Sequence, residues 1–317
     1  NKEKRQFYER TFTYKELGEP INAADFNRFS TGVVRDSEDW SEPTYRAILG
    51  YDLTDELFGF VSYAHGFKSG GYNDQIGTQL NPITPLAARP VDPETADSYE
   101  LGLKGRSSDG RWYVAANYFS VIYKDAQRTL NAVFPTGQET LFFNAAELEA
   151  DGLELEFSVV ATDAMTFRGM YASLDSTFNK FEADTNFDGV IDVDLSGNPV
   201  QRAPENQFMI EALYQSPGLS NGGSLDWNLR VSYEDDQVAS YSAAGSEFDT
   251  MLKAKSLVDM NITYTDPQDR YYVSLIGRNL GDKRYVQGSL SVATLWVMAA
   301  YGAPRYLGVQ FGTRLGR

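Results

Sequence analysis

The sequence predicts an all-β chain, and within that class an antiparallel transmembrane β-barrel. Three observations carry the prediction. Apolar and polar residues alternate with period two in segment after segment, as they do when one strand face meets lipid and the other meets water. The connections alternate between short turns and long loops. No stretch has the roughly 20 apolar residues that a membrane helix needs; the longest, Val292–Tyr301, is interrupted by Thr294.

The strands run from near Lys4–Tyr14 to Arg305–Leu315, about twelve in all by their period-two pattern. Tyr45, Ala47, Leu49 and Tyr51 alternate with Thr44 and Arg46. Tyr99, Leu101, Leu103 and Gly105 oppose Glu100, Lys104 and Arg106. Tyr113–Tyr123 is apolar on both faces, so some of it is expected to touch something besides lipid. Leu153, Leu155, Phe157 and Val159 oppose Glu154, Glu156 and Ser158. In Ser224–Glu234, Leu225, Trp227, Leu229, Val231 and Tyr233 share one face, and the other carries charges of both signs, which suits a wet lumen. Val258, Met260, Ile262 and Tyr264 oppose Asp259, Asn261 and Thr263, and Leu307, Val309, Phe311 and Leu315 alternate with Gln310 and Arg314.

Short connections with turn chemistry join Leu53 to Leu57, Arg106 to Arg111, Ala161 to Met165 and Thr265 to Arg270. A somewhat longer one, Ser216–Gly223, is rich in Gly and Ser. Between them lie long connections: Lys15–Glu42, Lys68–Pro93, Ala183–Ala203, Ser240–Met251 and Gly281–Pro304. Bacterial outer-membrane barrels sort their loops this way, with short periplasmic turns and long external loops. A soluble sandwich has no reason to. On this polarity the first strand runs outward and the last ends in the periplasm.

Composition narrows the function. The formal charge is −16, from 44 acidic and 28 basic residues, which argues against a nucleic-acid partner. The acidic excess lies mostly in the loops and favours cations there. There is no cysteine, hence no disulfide framework, and His65 is the single histidine, too few for a zinc site of the usual His/Cys kind. Aromatic residues make up 14% of the chain, with 20 Tyr and 19 Phe, a bias that suits interfacial girdles as well as strands generally. No signal peptide is visible at Asn1-Lys-Glu-Lys-Arg5, so a mature or truncated product is expected.

Several stretches, in order, resemble the C-terminal part of TonB-dependent outer-membrane receptors. They are Ser62-Tyr-Ala-His-Gly-Phe-Lys-Ser-Gly-Gly-Tyr-Asn73; Pro93-Glu-Thr95 followed by Ser98-Tyr-Glu-Leu-Gly-Leu-Lys104; and Asn144-Ala-Ala146 leading to Gly152-Leu-Glu-Leu-Glu156. Ala203-Pro-Glu-Asn206 precedes another strand, and Gly277-Arg-Asn-Leu-Gly-Asp-Lys-Arg-Tyr285 is followed by Tyr301-Gly-Ala-Pro-Arg305 and a closing strand. The resemblance covers nearly the whole chain from about Asp36. It implies a barrel of about 22 strands with a plugged lumen, of which residues 1–317 supply about the last twelve. The plug domain, the short TonB box ahead of it and the first strands are expected outside this sequence. The Leu315-Gly-Arg317 end departs from the aromatic finish of such barrels.

The resemblance also implies function: energised import of a scarce, bulky nutrient, most commonly an iron–siderophore complex, across the outer membrane of a Gram-negative bacterium. Expected partners are the plug, the TonB complex, outer-membrane lipid and lipopolysaccharide. No catalytic residues and no required cofactor are expected. Two other classes stay open. A closed barrel of about twelve strands, a passive pore or autotransporter, would pair its first and last strands. A soluble secreted β protein that binds or hydrolyses sugars would bury the Leu225/Trp227/Leu229 face in a core.

Some motifs point to local chemistry. Asp184, Asn186, Asp188, Val190, Asp192 and Asp194 follow the spacing that opens a calcium loop, with Gly189 at the sharp turn and Leu195 where an EF-hand places Glu. The alternative is a solvated acidic loop. His65 reads as a hydrogen-bonded wall or interface residue, because nothing nearby in sequence suggests a catalytic triad. Arg46, Glu100, Lys104, Arg106, Glu154, Glu156, Arg230 and Arg278 are predicted to line the lumen and pair mostly with one another. Asn279 and Asp282 read as turn formers. The apolar Val292–Ala300 is expected to extend its flanking strands, against the alternatives of a lid over the mouth or a partner contact.

Overall fold

The computed structural model describes residues 2–12, 30–71, 90–134, 137–185, 189–242, 244–292 and 296–314. One antiparallel sheet dominates. Its strands are β3 (Tyr45–Thr54), β4 (Leu57–Lys68), β5 (Glu94–Arg106), β6 (Trp112–Phe134), β7 (Gly137–Thr162), β8 (Met165–Ala183), β10 (Asn206–Gln215), β11 (Ser224–Glu234), β14 (Lys255–Thr265), β15 (Tyr271–Arg278) and β18 (Tyr306–Thr313). Spatial order follows chain order, each strand pairing the one before it, and the two-residue β9 (Val193–Asp194) pairs back onto β8. This up-and-down meander is what short turns alternating with long loops must produce.

Register carries the alternation across the sheet. Leu103, Ala116, Leu155, Tyr171, Phe208 and Tyr233 form one continuous cross-strand row. The opposite face holds Arg168, Glu211, Arg230 and Asp259 in a row of alternating charge. No second protein layer covers the apolar face among the described residues: Leu49 is 72% and Val309 73% exposed. Such a surface is stable only against lipid. Aromatic pairs mark its borders, Tyr45 against Tyr63 and Tyr63 against Tyr99 at the long-loop end, and Tyr214 stacked on Trp227 at 5.7 Å at the short-turn end.

Glycines on the inner face are covered by rings. A Cβ at Gly152 would lie 2.3 Å from the Phe119 ring and 2.9 Å from the Ser173 carbonyl oxygen, so only glycine fits beneath that aromatic.

Four expectations are corrected. First, the opening strand β1 (Lys2–Phe12) pairs with β2 (Ser30–Ser41) in a separate two-stranded sheet, and β2 occupies some of what reads as loop. Second, β6 and β7 reach 23 and 26 residues, well beyond the Tyr113–Tyr123 and Leu153–Val159 segments that alternation marks. A membrane crossing takes only about 9–11 residues, so this hairpin projects far past the bilayer. Third, β12 (Gln237–Ser240) and β13 (Thr250–Leu252) form a hairpin inside a long connection. Fourth, the apolar segment does not extend β15 and β18. Its described residues, Val292 and Trp296–Ala300, belong to a separate hairpin of β16 (Val286–Val292) and β17 (Trp296–Tyr301), and 293–295 lie outside the described residues. The cause is the turn at its root, where Asn279 and Asp282 adopt φ of +46° and +51° and end β15.

Candidate functional site at the outer rim

The only extended hydrophobic core among the described residues lies in the long connections. A β-bulge at Asn179, opposite the Glu147–Leu148 step, turns Phe178 and Phe181 to the same side of β8. Both rings are fully buried and meet edge-to-face at 4.9 Å. Ala126, Leu130 and Leu148 from the β6–β7 hairpin, Val193 from β9, and Val238 and Tyr241 from the next connection complete this core. The segment after β9 folds back along β8, with the Val200 N–H donating to the Ser176 carbonyl at 2.9 Å. Tyr241 donates its hydroxyl to the Pro199 carbonyl at 2.7 Å, and burial pushes its phenol up to about 12. Three connections are thereby fused into one packed rim.

A buried polar hub ties the root of the loop before β5 to the bulge in β6. A bulge between Tyr123 and Gln127, with Asp125 at φ +53°, lets β6 turn Gln127 inward. The Gln127 amide nitrogen donates to the Ser69 and Asp92 carbonyls at 2.9 and 2.8 Å, and its backbone N–H donates to Glu94 at 2.7 Å. Arg128 sits 3.5 Å from the same Glu94 carboxylate. Asn144 locks the adjoining strand, donating to the Asp92 and Asp125 carbonyls and accepting the Asp92 N–H. Trp40 lies against Gly70, where a Cβ would meet its ring at 2.4 Å. Ser69, Pro93-Glu94 and Asn144, from three separate sequence motifs, therefore meet at one place.

The last connection is held by Asn279. Its side-chain nitrogen donates to the Lys283 and Ala303 carbonyls at 2.9 and 3.1 Å, its side-chain oxygen accepts the Lys283 N–H, and its backbone N–H donates to Asp259. Asn206 acts similarly further along the wall, accepting from the Tyr171 hydroxyl and donating to Asp235.

Below the rim the inner wall is charged. Arg230 meets Glu211 at 2.8 Å and Arg278 meets Asp259 at 3.5 Å. Lys255 bridges Glu234 at 2.7 Å and lies over the Tyr285 ring. These acidic partners lie outside the lumen charges singled out from sequence, so the expectation that those charges pair mostly with one another is corrected: the two that form ion pairs among the described residues, Arg230 and Arg278, take Glu211 and Asp259 instead. Lys104 instead lies over the Phe60 ring at 5.6 Å. Next to the Lys255–Glu234 pair a recess of about 180 Å³ opens onto Met170, Met209, Ser232 and Leu257. A wall of this kind can bind and guide a polar, partly apolar solute.

The other sequence-singled residues fall elsewhere. Within the acidic loop, Asn186 and Asp188 lie outside the described residues. Asp184 accepts the Gly189 N–H at 2.7 Å with Gly189 at φ +90°, so the turn assigned to that glycine forms. Both Asp192 oxygens bond Thr185, and Asp194 accepts from Ser196, which holds its carboxyl below the usual range. His65 bonds Asp97 at 2.8 Å and stacks on Tyr45, while Tyr63 donates to the same carboxylate. It is an aromatic-girdle histidine in the outward-facing register. Gln127, Phe178, Phe181 and Tyr241 were not singled out from sequence; breaks in the period-two pattern at both bulges are the only local signal for them.

A family model described as TonB dependent receptor-like, beta-barrel, matches residues 13–280. The chain belongs to the TonB-dependent receptor β-barrel family. Its place is therefore the outer membrane of a Gram-negative bacterium. The metal-pseudopaline receptor CntO of Pseudomonas aeruginosa is 27% identical over 286 residues, covering 88% of this chain and 35% of the relative. The ferric-pyoverdine 358 receptor of Pseudomonas putida is 24% identical, covering 80% and 27%. Among solved structures, the ferric yersiniabactin uptake receptor FyuA of Yersinia pestis superposes with a TM-score of 0.64 at 20% identity, covering 88% of this chain and 38% of that one. The siderophore receptor PiuA of Acinetobacter baumannii gives the same score at 21% identity, covering 88% and 36%. The chain thus spans about a third of the length of the curated relatives it matches. The rim and charged wall described above belong to the barrel of such a receptor.

Proposed function

We propose that the whole receptor imports an iron–siderophore complex, with energy relayed from the inner membrane by TonB. The observation that carries this is the relatives' agreement: receptors named for metal-pseudopaline and ferric-pyoverdine align over four-fifths or more of this chain. The rim supports it physically. A packed collar of fused loops above a charged, recessed wall presents a preformed mouth, which suits a bulky chelate better than a small ion. The protein performs no bond-making chemistry in this reading. Its own plug domain fills the lumen, and the TonB complex acts through the N-terminal region of that plug.

In the same reading the Asp184–Asp194 loop takes a calcium ion, with Asp184, Asn186, Asp188, Asp192 and Asp194 supplying side-chain oxygens and Val190 its carbonyl. The turn at Gly189 supports it, and the ion would stiffen the loop. Calorimetry with millimolar calcium that gives no heat distinguishable from an Asp184→Ala/Asp192→Ala control would rule this out.

The import reading is tested in the producing bacterium. Deleting the receptor gene should abolish growth on one ferric siderophore as sole iron source, and the full-length gene should restore it. Growth that is unchanged on every metal chelate supplied, together with no binding of any of them by the purified receptor, would overturn it.

A further inference from the structure

We propose that β17 is one side of a second, external closing seam: its free edge and the apolar face around Trp296 and Met298 are covered by the long connection that follows the receptor's own first barrel strand, in the part of the protein outside residues 1–317. The proposal rests on family membership and not on what the receptor imports. Residues 286–301 hold no charge and no proline, in a chain where charged residues make up 23%. They contribute the β16–β17 hairpin, and one strand of it is settled: β16 lies against β12 and β13, with Ser291 2% exposed. β17 pairs with β16 alone among the described residues. Its side chains are exposed on both faces, Trp296 and Met298 on one, Val297 and Tyr301 on the other. Leu290, the cross-strand partner of Met298, is exposed beside it and widens the apolar face. An isolated two-stranded ribbon is marginal in water. Edge strands that stay bare carry lysines, other charges or proline to repel a partner. β17 carries none, so its edge is built to be paired.

The fold selects the occupant. β16 follows β15 and β17 leads into β18, while β12 and β13 lie in the connection between β11 and β14. The lateral order β13–β16–β17 in the rim therefore repeats β14–β15–β18 in the wall. β18 likewise pairs on one side only among the described residues, so the two free edges face the same way. A closed barrel leaves no edge, and the strand that takes the free side of β18 belongs to the same barrel. β18 runs from Tyr306 at the long-loop end to Thr313, which pairs with Tyr271 beside a short turn. An antiparallel neighbour runs the other way and hands its own long connection to the rim beside β17. The chain spans 35% of the length of a matched relative, which leaves room for that strand. Lipid is a poor alternative. The hairpin closes at its root, where the Gly302 N–H donates to the Tyr285 carbonyl at 2.9 Å, and Lys283, Arg284 and Arg305 flank it on the side of the wall. Cations at that level mark the headgroup layer. The hairpin therefore stands beyond the hydrocarbon, and its apolar face, left bare, would meet water.

The test uses the full-length receptor in intact cells, with any cysteine elsewhere replaced by serine. Met298 and Ile191, the latter in the acidic loop, are 52% and 50% exposed in this chain. Cysteines at the two sites therefore differ through the cover that the rest of the receptor supplies. Met298→Cys should react with a membrane-impermeant maleimide about tenfold more slowly than Ile191→Cys. A photoreactive benzoylphenylalanine in place of Val297 identifies the cover. Irradiation should join the peptide containing Trp296–Tyr301 to the connection after the first barrel strand of the same molecule, as read by mass spectrometry of the digested monomer. The same photoreactive residue in place of Leu155, on the outward face far along the sheet, should give no such product. Equal labelling of the two cysteines overturns the proposal, and so does absence of the internal cross-link. A cross-link to a second copy, to another protein or to lipid overturns the choice of occupant.

Discussion

At the scale of residues, a few buried polar side chains do more than the many charged ones. Gln127 is 4% exposed and ties three segments together. Replacing it by Leu leaves the Ser69 and Asp92 carbonyls without that donor, which costs about 1–3 kcal/mol. The outcome should be local: faster hydrogen exchange at the root of the loop before β5 and around the β6 bulge, with the membrane-spanning parts of the strands unchanged. Protection equal to wild type at Ser69–Gly71 would refute that role. Asp266 does the corresponding job in a short turn, accepting N–H groups from Tyr271 and Arg270. Burial pushes its carboxyl up, but those bonds outweigh it and hold it below the usual range. A depressed carboxyl stabilises the fold above its unfolded pKa of about 3.9 and loses that contribution as pH falls toward its folded value. The heat-unfolding midpoint of the full-length receptor should therefore exceed that of an Asp266→Ala variant at neutral pH, and the gap should close in acid. A gap independent of pH would show that the ionised form plays no role.

At the scale of elements, strand existence and facing were legible because they depend on local alternation. Leu225, Trp227 and Leu229 on one face and Arg230 on the other could be read directly, and the register confirms the faces. Turns were legible for the same reason, since Asn279 and Asp282 announce positive φ by residue type. What alternation hides is where a strand stops being membrane wall. Beyond about Tyr123 the β6–β7 hairpin keeps pairing while its bulges reset which side chains point inward. The rim core depends on those resets and on contacts between connections remote in sequence, so Phe178, Phe181 and Tyr241 carried no signal of their joint role. Val292–Ala300 misled for a related reason, because apolar content alone does not say which partner a strand finds. The rim core yields a sharp expectation. Phe178→Ala removes a fully buried ring and should cost about 3–5 kcal/mol locally. Limited proteolysis should then cut between Ala183 and Ala203 much faster than in wild type. Unchanged cleavage there would mean that the core does not hold the loops.

At the scale of the whole molecule, the sheet is open. Among the described residues β18 pairs only with β15, and β3 only with β4. The closed-pore alternative needs the first and last strands to pair, and among the described residues they do not. The soluble alternative needs a layer over the Leu49, Leu101 and Leu307 rows, and those rows are exposed. An open meander with one lipid-matched face and one charged face is what a large barrel looks like when only a portion of its circumference is present. Outer-membrane membership was legible in loop sorting and ordered motifs. The loop collar that gives the mouth its shape was not.

The barrel and its rim both require that the two faces of each strand meet different solvents. The chain has no cysteine, so single cysteines introduced along Ser224–Glu234 report cleanly in a full-length receptor with any cysteine elsewhere replaced by serine. Spin labels at positions 225, 227, 229, 231 and 233, reconstituted in lipid, should be reached by dissolved oxygen and shielded from a water-soluble nickel chelate, with positions 226, 228, 230 and 232 not oxygen-accessible from lipid. Loss of that period of two, or shielding of both sets from both reagents, would contradict the account.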